Sequence, residues 1–222
     1  MKKEFVVNVL GMGVYSLAEA PRLTRLRPGQ VRGWFRQLEG NQSDRPVFQS
    51  DYPSVEGDRA ISFLDLVEVY IVGRLREANP PVSLQHIRKV HQKMSLESGL
   101  RHPFCTREMD HNNGKILTVS MSGNDGGSVI EPLTNQLYID EVIKPFLSKI
   151  EYDHVTDLAM LWHIAEGVVV DPQRCFGKPI VGEVGIATRV LAASYEANGR
   201  DAQRVAEWYE IGPTHVDMAV NF

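Results

Sequence analysis

The stretch that most constrains this chain runs from Val14 to Leu38, Val-Tyr-Ser-Leu-Ala-Glu-Ala-Pro-Arg-Leu-Thr-Arg-Leu-Arg-Pro-Gly-Gln-Val-Arg-Gly-Trp-Phe-Arg-Gln-Leu. It reads as two short helices separated by a turn. Ser16 is a good N-cap, with Glu19 three residues on to complete a capping box, so a first helix is expected to start at Ser16. Leu17, Ala18 and Ala20 give it a small apolar face, and Pro21 interferes with continuation unless that helix is bent or very short. Pro28 and Gly29 mark the entry to the second helix. There Val31, Trp34, Phe35 and Leu38 repeat at three- and four-residue steps and turn inward together, leaving Gln30, Arg32, Gly33, Arg36 and Gln37 on the other side.

Amide and guanidinium groups are those that read base edges in a major groove, while further arginines neutralise phosphates. Gly33 on the same face would allow close backbone approach. The same periodicity also suits an ordinary amphipathic helix with a solvated basic face.

Charge is divided along the chain. Of 222 residues, 24 are Lys or Arg and 28 Asp or Glu, a net of −4. Residues 1–101 carry 15 basic against 11 acidic residues, 102–150 carry 4 against 6, and 151–222 carry 5 against 11. A basic front and an acidic back suggest that the front meets nucleic acid and the back another partner. No apolar run is long enough to span a bilayer and Met1-Lys-Lys-Glu is not followed by a signal-peptide core, so a cytoplasmic location and no membrane are expected. Cys105 and Cys175 lack the paired spacing of a zinc site and are read as reduced thiols.

Phe5 to Leu10 is a possible strand or arm. After the second helix, 40–46 is turn-rich, Val47-Phe48 is β-prone, 51–58 is a turn and Arg59-Ala-Ile61 returns, together a small hairpin or wing that puts Arg45 or Arg59 within reach of a phosphate; an uninvolved loop remains the alternative for each. Ser62 caps a strong helix with Asp65 at its third position and Phe63, Leu66, Val67, Tyr70, Ile71 and Leu75 on the apolar side. Ser83 caps the next, with Leu84, Ile87, Val90, His91 and Met94 on one face and Arg88, Lys89 and Lys93 outward.

In this order of elements, and in Tyr15-Ser-Leu-Ala-Glu-Ala, Val31-Arg-Gly-Trp34, Ser62-Phe-Leu-Asp-Leu66 and Val82-Ser-Leu-Gln-His-Ile-Arg88, residues 14–97 resemble the DNA-binding domain of the MerR-type winged helix-turn-helix superfamily. Pro21 and the long wing depart from its usual form. The resemblance implies binding of double-stranded operator DNA, with Gln30, Arg32 and Arg36 toward bases and Arg25, Arg27, Arg45 and Arg59 toward phosphates. A homodimer on two half-sites is expected.

Lys115 to Ser120, the turn 122–127 and Ser128 to Ile130 suggest a hairpin in a connector, followed by a helix and a strand-rich joint over 136–170. Asp171-Pro172, Gly177-Lys-Pro179 and Gly182 to Thr188 resemble the module known as domain of unknown function 433, with Gly185-Ile-Ala-Thr-Arg189 altering its usual turn. That resemblance implies three helices in a second helix-turn-helix-like arrangement and an antitoxin, in the broad VapB manner, that neutralises a PIN-like ribonuclease toxin and represses its own operon. Asp201 and Thr214 are expected to cap the last two helices, with Val205, Ala206 and Trp208 or Tyr209, then Val216, Met218, Ala219 and Phe222, giving apolar surface. Glu196, Asp201, Glu207, Glu210 and Asp217 suit a basic partner, or are a solvated acidic surface.

The fold class is therefore mainly α with small β-hairpins, α+β. The boundaries are 1–101 for a winged helix-turn-helix domain, 102–164 for a connector and 165–222 for the helical module. A non-enzymatic protein without metal or cofactor is expected. His102-Pro-Phe-Cys105 with His111 does not close a metal shell, and His163 with Glu166, three apart as on a helical face, lacks a nucleophile, leaving a hydrolase as the weaker alternative. A stand-alone effector-responsive regulator is the other.

Overall fold

A computed structural model describes residues 11–35, 47–53, 59–79, 81–107, 109 and 144–222. The chain is α+β and divides into two compact units, one drawn from residues 15–159 and one from 160–222 with 11–14. The readings at Phe5–Leu10, Leu38, 115–130 and 136–143 lie outside the described residues, as do Arg36, Arg45 and His111.

The first unit opens with β1 (Tyr15–Ser16), α1 (Ala20–Thr24) and α2 (Pro28–Phe35). Helix α1 does not start at Ser16. That residue is in a strand, its hydroxyl and carbonyl both accept from the Glu19 N–H at 3.1 Å, and the bend so formed leads to a helix that begins at Ala20 with Glu19 as N-cap. Pro21 thus falls in the first turn, where its missing N–H is harmless, and starts the helix instead of stopping it. Ala20, Pro21, Leu23 and Thr24 face inward, and Ala18 is exposed. Arg25 closes α1 in the left-handed region (φ 58, ψ 34), its N–H donating to the Pro21 carbonyl.

The wing reading is corrected at its return strand. Strand β2 (Ala60–Ile61) pairs antiparallel with β1, Tyr15 opposite Ile61 and Ser16 opposite Ala60, while Val47 and Phe48 donate their N–H groups to the Trp34 carbonyl at 2.8 and 3.2 Å. Residues 47–48 therefore cap the end of α2.

Helix α3 (Phe63–Glu77) has the expected capping box. Asp65 N–H donates to Ser62 Oγ at 3.1 Å and Ser62 N–H donates to Asp65 Oδ2 at 2.9 Å. The predicted apolar face is buried, and so are Asp65, Glu68, Val69, Val72 and Gly73, making α3 the central post of the unit. Helix α4 (Leu84–Ser98) is capped by Ser83, whose Oγ accepts from His86 N–H, and buries Ile87, Val90 and Met94; Leu84 and His91 are half-buried. A 3-10 turn, Pro103–Cys105, and β3 (Ile150–Tyr152) complete the unit.

The second unit contains β4 (Ala159–Ala165), β5 (Val168–Val170), β6 (Ile180–Val181) and β7 (Ile186–Ala187), each antiparallel to the next. Three helices follow: α5 (Thr188–Ala197), α6 (Ala202–Tyr209) and α7 (Pro213–Asn221). Val181, Leu191, Val205, Ala206, Val216 and Ala219 form their shared core. Asp201 caps α6 as expected, its Oδ1 accepting from Arg204 N–H at 3.0 Å. Thr214 does not cap α7. Gly212 is the N-cap and Pro213 the first helical residue, a position that suits proline and puts Thr214 inside the first turn. Of the two aromatic candidates on α6, Tyr209 turns inward and bonds Ser194 at 2.9 Å, whereas Trp208 is 60% exposed; Phe222 is 44% exposed.

Candidate nucleic-acid interface

Helix α2 separates its faces by the period that its sequence carries. Val31 and Phe35 are fully buried and Trp34 nearly so, while Arg32 and Gly33 are exposed and Gln30 is half-buried. Arg22, Arg25 and Arg27 are exposed on α1 and the turn that precedes α2. Among the described residues, nothing stands within 4 Å of where a Gly33 Cβ would be.

Two of the proposed contact residues are engaged within the fold. Gln30 Oε1 accepts from the Arg27 N–H at 3.3 Å, which fixes its amide at the helix entry and satisfies an orphan donor of the first turn. The Arg59 guanidinium donates to the Phe35 carbonyl at the other end of the helix. Arg59 is thus a brace of α2. Arg25, Arg27 and Arg32 are the exposed cations of the predicted set among the described residues.

What holds α2 in place lies behind it. Phe48 meets Trp34 edge-on at 6.3 Å and Phe35 at 5.6 Å, and its other side meets His91, which in turn stands edge-on to Phe104 at 5.1 Å. His91 Nε2 lies 3.0 Å from Glu68 Oε1. His102 ties the same region together. Its Nε2 is 2.9 Å from Asp51 Oδ2 and its Nδ1 is 3.3 Å from Glu68 Oε2. Burial alone would lower the His102 imidazole, but the hydrogen bonds to Asp51 and Glu68 outweigh it and raise the pKa to about 10. Burial likewise opposes ionisation of Glu68 and Asp51, yet His91 and His102 hold Glu68 below its ordinary value, and His102, Ser62 and Arg101 do so for Asp51. Asp65, buried with a weaker share of these cations, is pushed up to about 6.

The sequence offered no spacing from which this cluster is readable, since its members stand at 51, 65, 68, 91 and 102. His102 does not work with Cys105, as the His-Pro-Phe-Cys run suggests. The buried thiol donates to the Leu64 carbonyl at 3.2 Å instead, and burial raises its pKa well above the ordinary thiol value. The His163–Glu166 pairing is also corrected. His163 is on β4 opposite Val169 and Glu166 is in the turn that follows, so the two do not share a helical face.

In the second unit, the residues that carry the C-terminal resemblance build turns. Asp171 Oδ1 accepts from Gln173 N–H at 2.8 Å, Lys178 Nζ donates to the Val14 carbonyl at 3.0 Å, and Thr188 donates its N–H to Pro179 O at 3.0 Å where α5 begins. Among the acidic residues there, Glu196 pairs with Arg200 at 3.1 Å and Glu207 accepts from Gln203 at 3.2 Å, both exposed.

Among the described residues, no helix is long and apolar enough to cross a membrane. No protein-family model matches the chain, and no curated protein matches it. Among solved structures, the crystal structure of Rv2018 from Mycobacterium tuberculosis is similar, with a TM-score of 0.74 at 20% identity over 96% of this chain and 99% of that one. At that identity the likeness is one of fold.

Proposed function

We propose that this chain is a non-enzymatic DNA-binding regulator whose first unit grips operator DNA through a helix-turn-helix, with α2 entering the major groove. The observation that carries the reading is the division of α2 and its approach. Val31, Trp34 and Phe35 are spent on the core, and Arg25, Arg27 and Arg32 are left exposed around the same short element. Arg32 is the candidate for base contact, and Arg25 and Arg27 for phosphate. A homodimer presents two such helices to two half-sites.

The antitoxin reading rests on the C-terminal resemblance, supported by the excess of acidic residues after Glu151, which favours a basic partner such as a PIN-like ribonuclease. Its test is co-expression with such a ribonuclease encoded beside this chain. Relief of the growth arrest by the intact chain is expected, and an unrelieved arrest refutes neutralisation.

DNA binding is tested with the purified chain on its own upstream duplex and on an unrelated duplex of equal length, at two salt concentrations. Tighter retention of the upstream duplex, weakening as salt rises, is expected. No retention of either duplex at low salt overturns the proposal.

A further inference from the structure

Three chain segments that are distant in sequence bring carboxylates and imidazole together behind α2. Asp51 comes from the segment after Phe48, Asp65 and Glu68 from α3, and His102 from the approach to the 3-10 turn. One ligand atom from each of Asp51, Asp65 and His102 lies within 4.8 Å of the other two.

Asp65 is the informative member. Its side chain is fully buried, and its Oδ2 accepts from the Ser62 and Asp51 N–H groups at 2.9 and 3.1 Å. Its Oδ1 has no hydrogen-bond partner among the described residues and lies 4.0 Å from His102 Nδ1. The capping box accounts for one oxygen and leaves the other, with its lone pairs, facing into the cluster. A buried acceptor left unpaired is costly, and a charged one more so. Three carboxylates converge on His102, and Arg101 also pairs with Asp51 at 3.3 Å and His91 with Glu68 at 3.0 Å, so Asp65 is the one of the three with no second cation at ion-pair distance among the described residues.

We propose that Asp51, Asp65 and His102 bind a divalent transition cation of the zinc or manganese class. One imidazole nitrogen with carboxylate oxygens is a donor set that such cations accept, whereas magnesium and calcium prefer oxygen alone. Glu68 stands beside the site, 3.3 Å from His102 Nδ1, and is itself held by His91 Nε2 at 3.0 Å, an outer hydrogen bond of the kind that orients metal ligands. Coordination uses an imidazole lone pair, so His102 gives up one N–H proton to solvent as the cation enters. The Cys105 thiol is turned to the Leu64 carbonyl and takes no part.

The experiment is calorimetric titration of the full-length chain, first stripped with EDTA, with zinc chloride and with manganese chloride, beside thermal melts in the same salts. Uptake of one ion per chain and a higher melting temperature are expected with either salt. Asp65→Asn and Asp51→Asn should each weaken uptake by about tenfold or more. Asp51→Asn leaves the Ser62–Asp65 capping box intact, so the test does not hang on a variant that unfolds, and Asp153→Asn, which lies outside the cluster, should bind as the wild type does. No uptake of either ion by the wild-type chain overturns the proposal. So does uptake unchanged in both variants, or a response to magnesium or calcium alone.

Discussion

The Arg74 guanidinium donates to the Thr24 carbonyl at 2.8 Å, joining the central helix α3 to the last residue of α1 across 50 positions of sequence. The same group stands 5.5 Å from the centres of the Tyr70 and Phe146 rings and pairs with Glu77 at 2.8 Å. It thus satisfies a carbonyl at a helix end, where no backbone partner exists. Arg74→Met keeps the aliphatic stem and removes the donors. A loss of about 1–2 kcal/mol in urea denaturation is expected. An unchanged midpoint would show that water replaces the bond at no cost.

One residue earlier, Gly73 faces the turn between α1 and α2. A Cβ on it would meet Leu26 Cδ1 at 2.6 Å and Cδ2 at 2.7 Å. In an exposed helix the change from glycine to alanine gains about 1 kcal/mol, but overpacking in a core costs about 1–3 kcal/mol. Gly73→Ala should therefore destabilise. Leu26→Ala in the same chain should absorb part of that loss, so a double-mutant cycle should give less than the sum of the two single effects. Additivity would place the cost elsewhere.

The parts of this fold that were legible in the sequence are those set by neighbours within one helical turn. The period of Val31, Trp34 and Phe35 on α2, the Ser62–Asp65 pair, the Ser83 cap and the Asp201 cap all depend on residues no more than four apart. Ser16 and Glu19 misled because a hydroxyl that accepts from the third amide serves a bend after a strand as well as a helix start. Thr214 misled for a related reason, since Pro213 already opens the helix. The pairing of β2 with β1 and the convergence of Asp51, Asp65, Glu68, His91 and His102 are set by packing between distant segments, which no local pattern carries.

That cluster makes stability depend on pH. A histidine whose pKa rises to about 10 in the folded chain, against an ordinary 6.5, holds its proton more tightly folded than unfolded. Its contribution is complete below pH 6.5 and is lost as pH climbs toward 10. Asp51 and Glu68, held below their ordinary values, act at the other edge, where their contribution is lost on acidification. Asp65, at about 6 against 3.8, opposes them, because its contribution is present at low pH and is lost as pH rises through 6. In EDTA, the urea midpoint of the wild type should fall between neutral pH and pH 10, and His102→Gln should flatten that decline. Parallel curves would mean that His102 is neutral in the folded chain.

Arg32 and Arg59 separate a contact from a brace. Arg32 is exposed on α2, while the Arg59 guanidinium is bonded to the Phe35 carbonyl at the end of that helix. If α2 reads bases, Arg32→Ala should cost about 1–3 kcal/mol on the specific duplex and little on an unrelated one. If it meets phosphate instead, affinity should fall alike on all sequences and the slope of binding against salt should drop by about one ion. Arg59→Ala should act differently, lowering the urea midpoint and leaving the salt slope unchanged, because its charge is committed to the helix end. Unchanged affinity of Arg32→Ala on both duplexes would remove Arg32 from the interface. A reduced salt slope for Arg59→Ala at unchanged stability would move Arg59 into it.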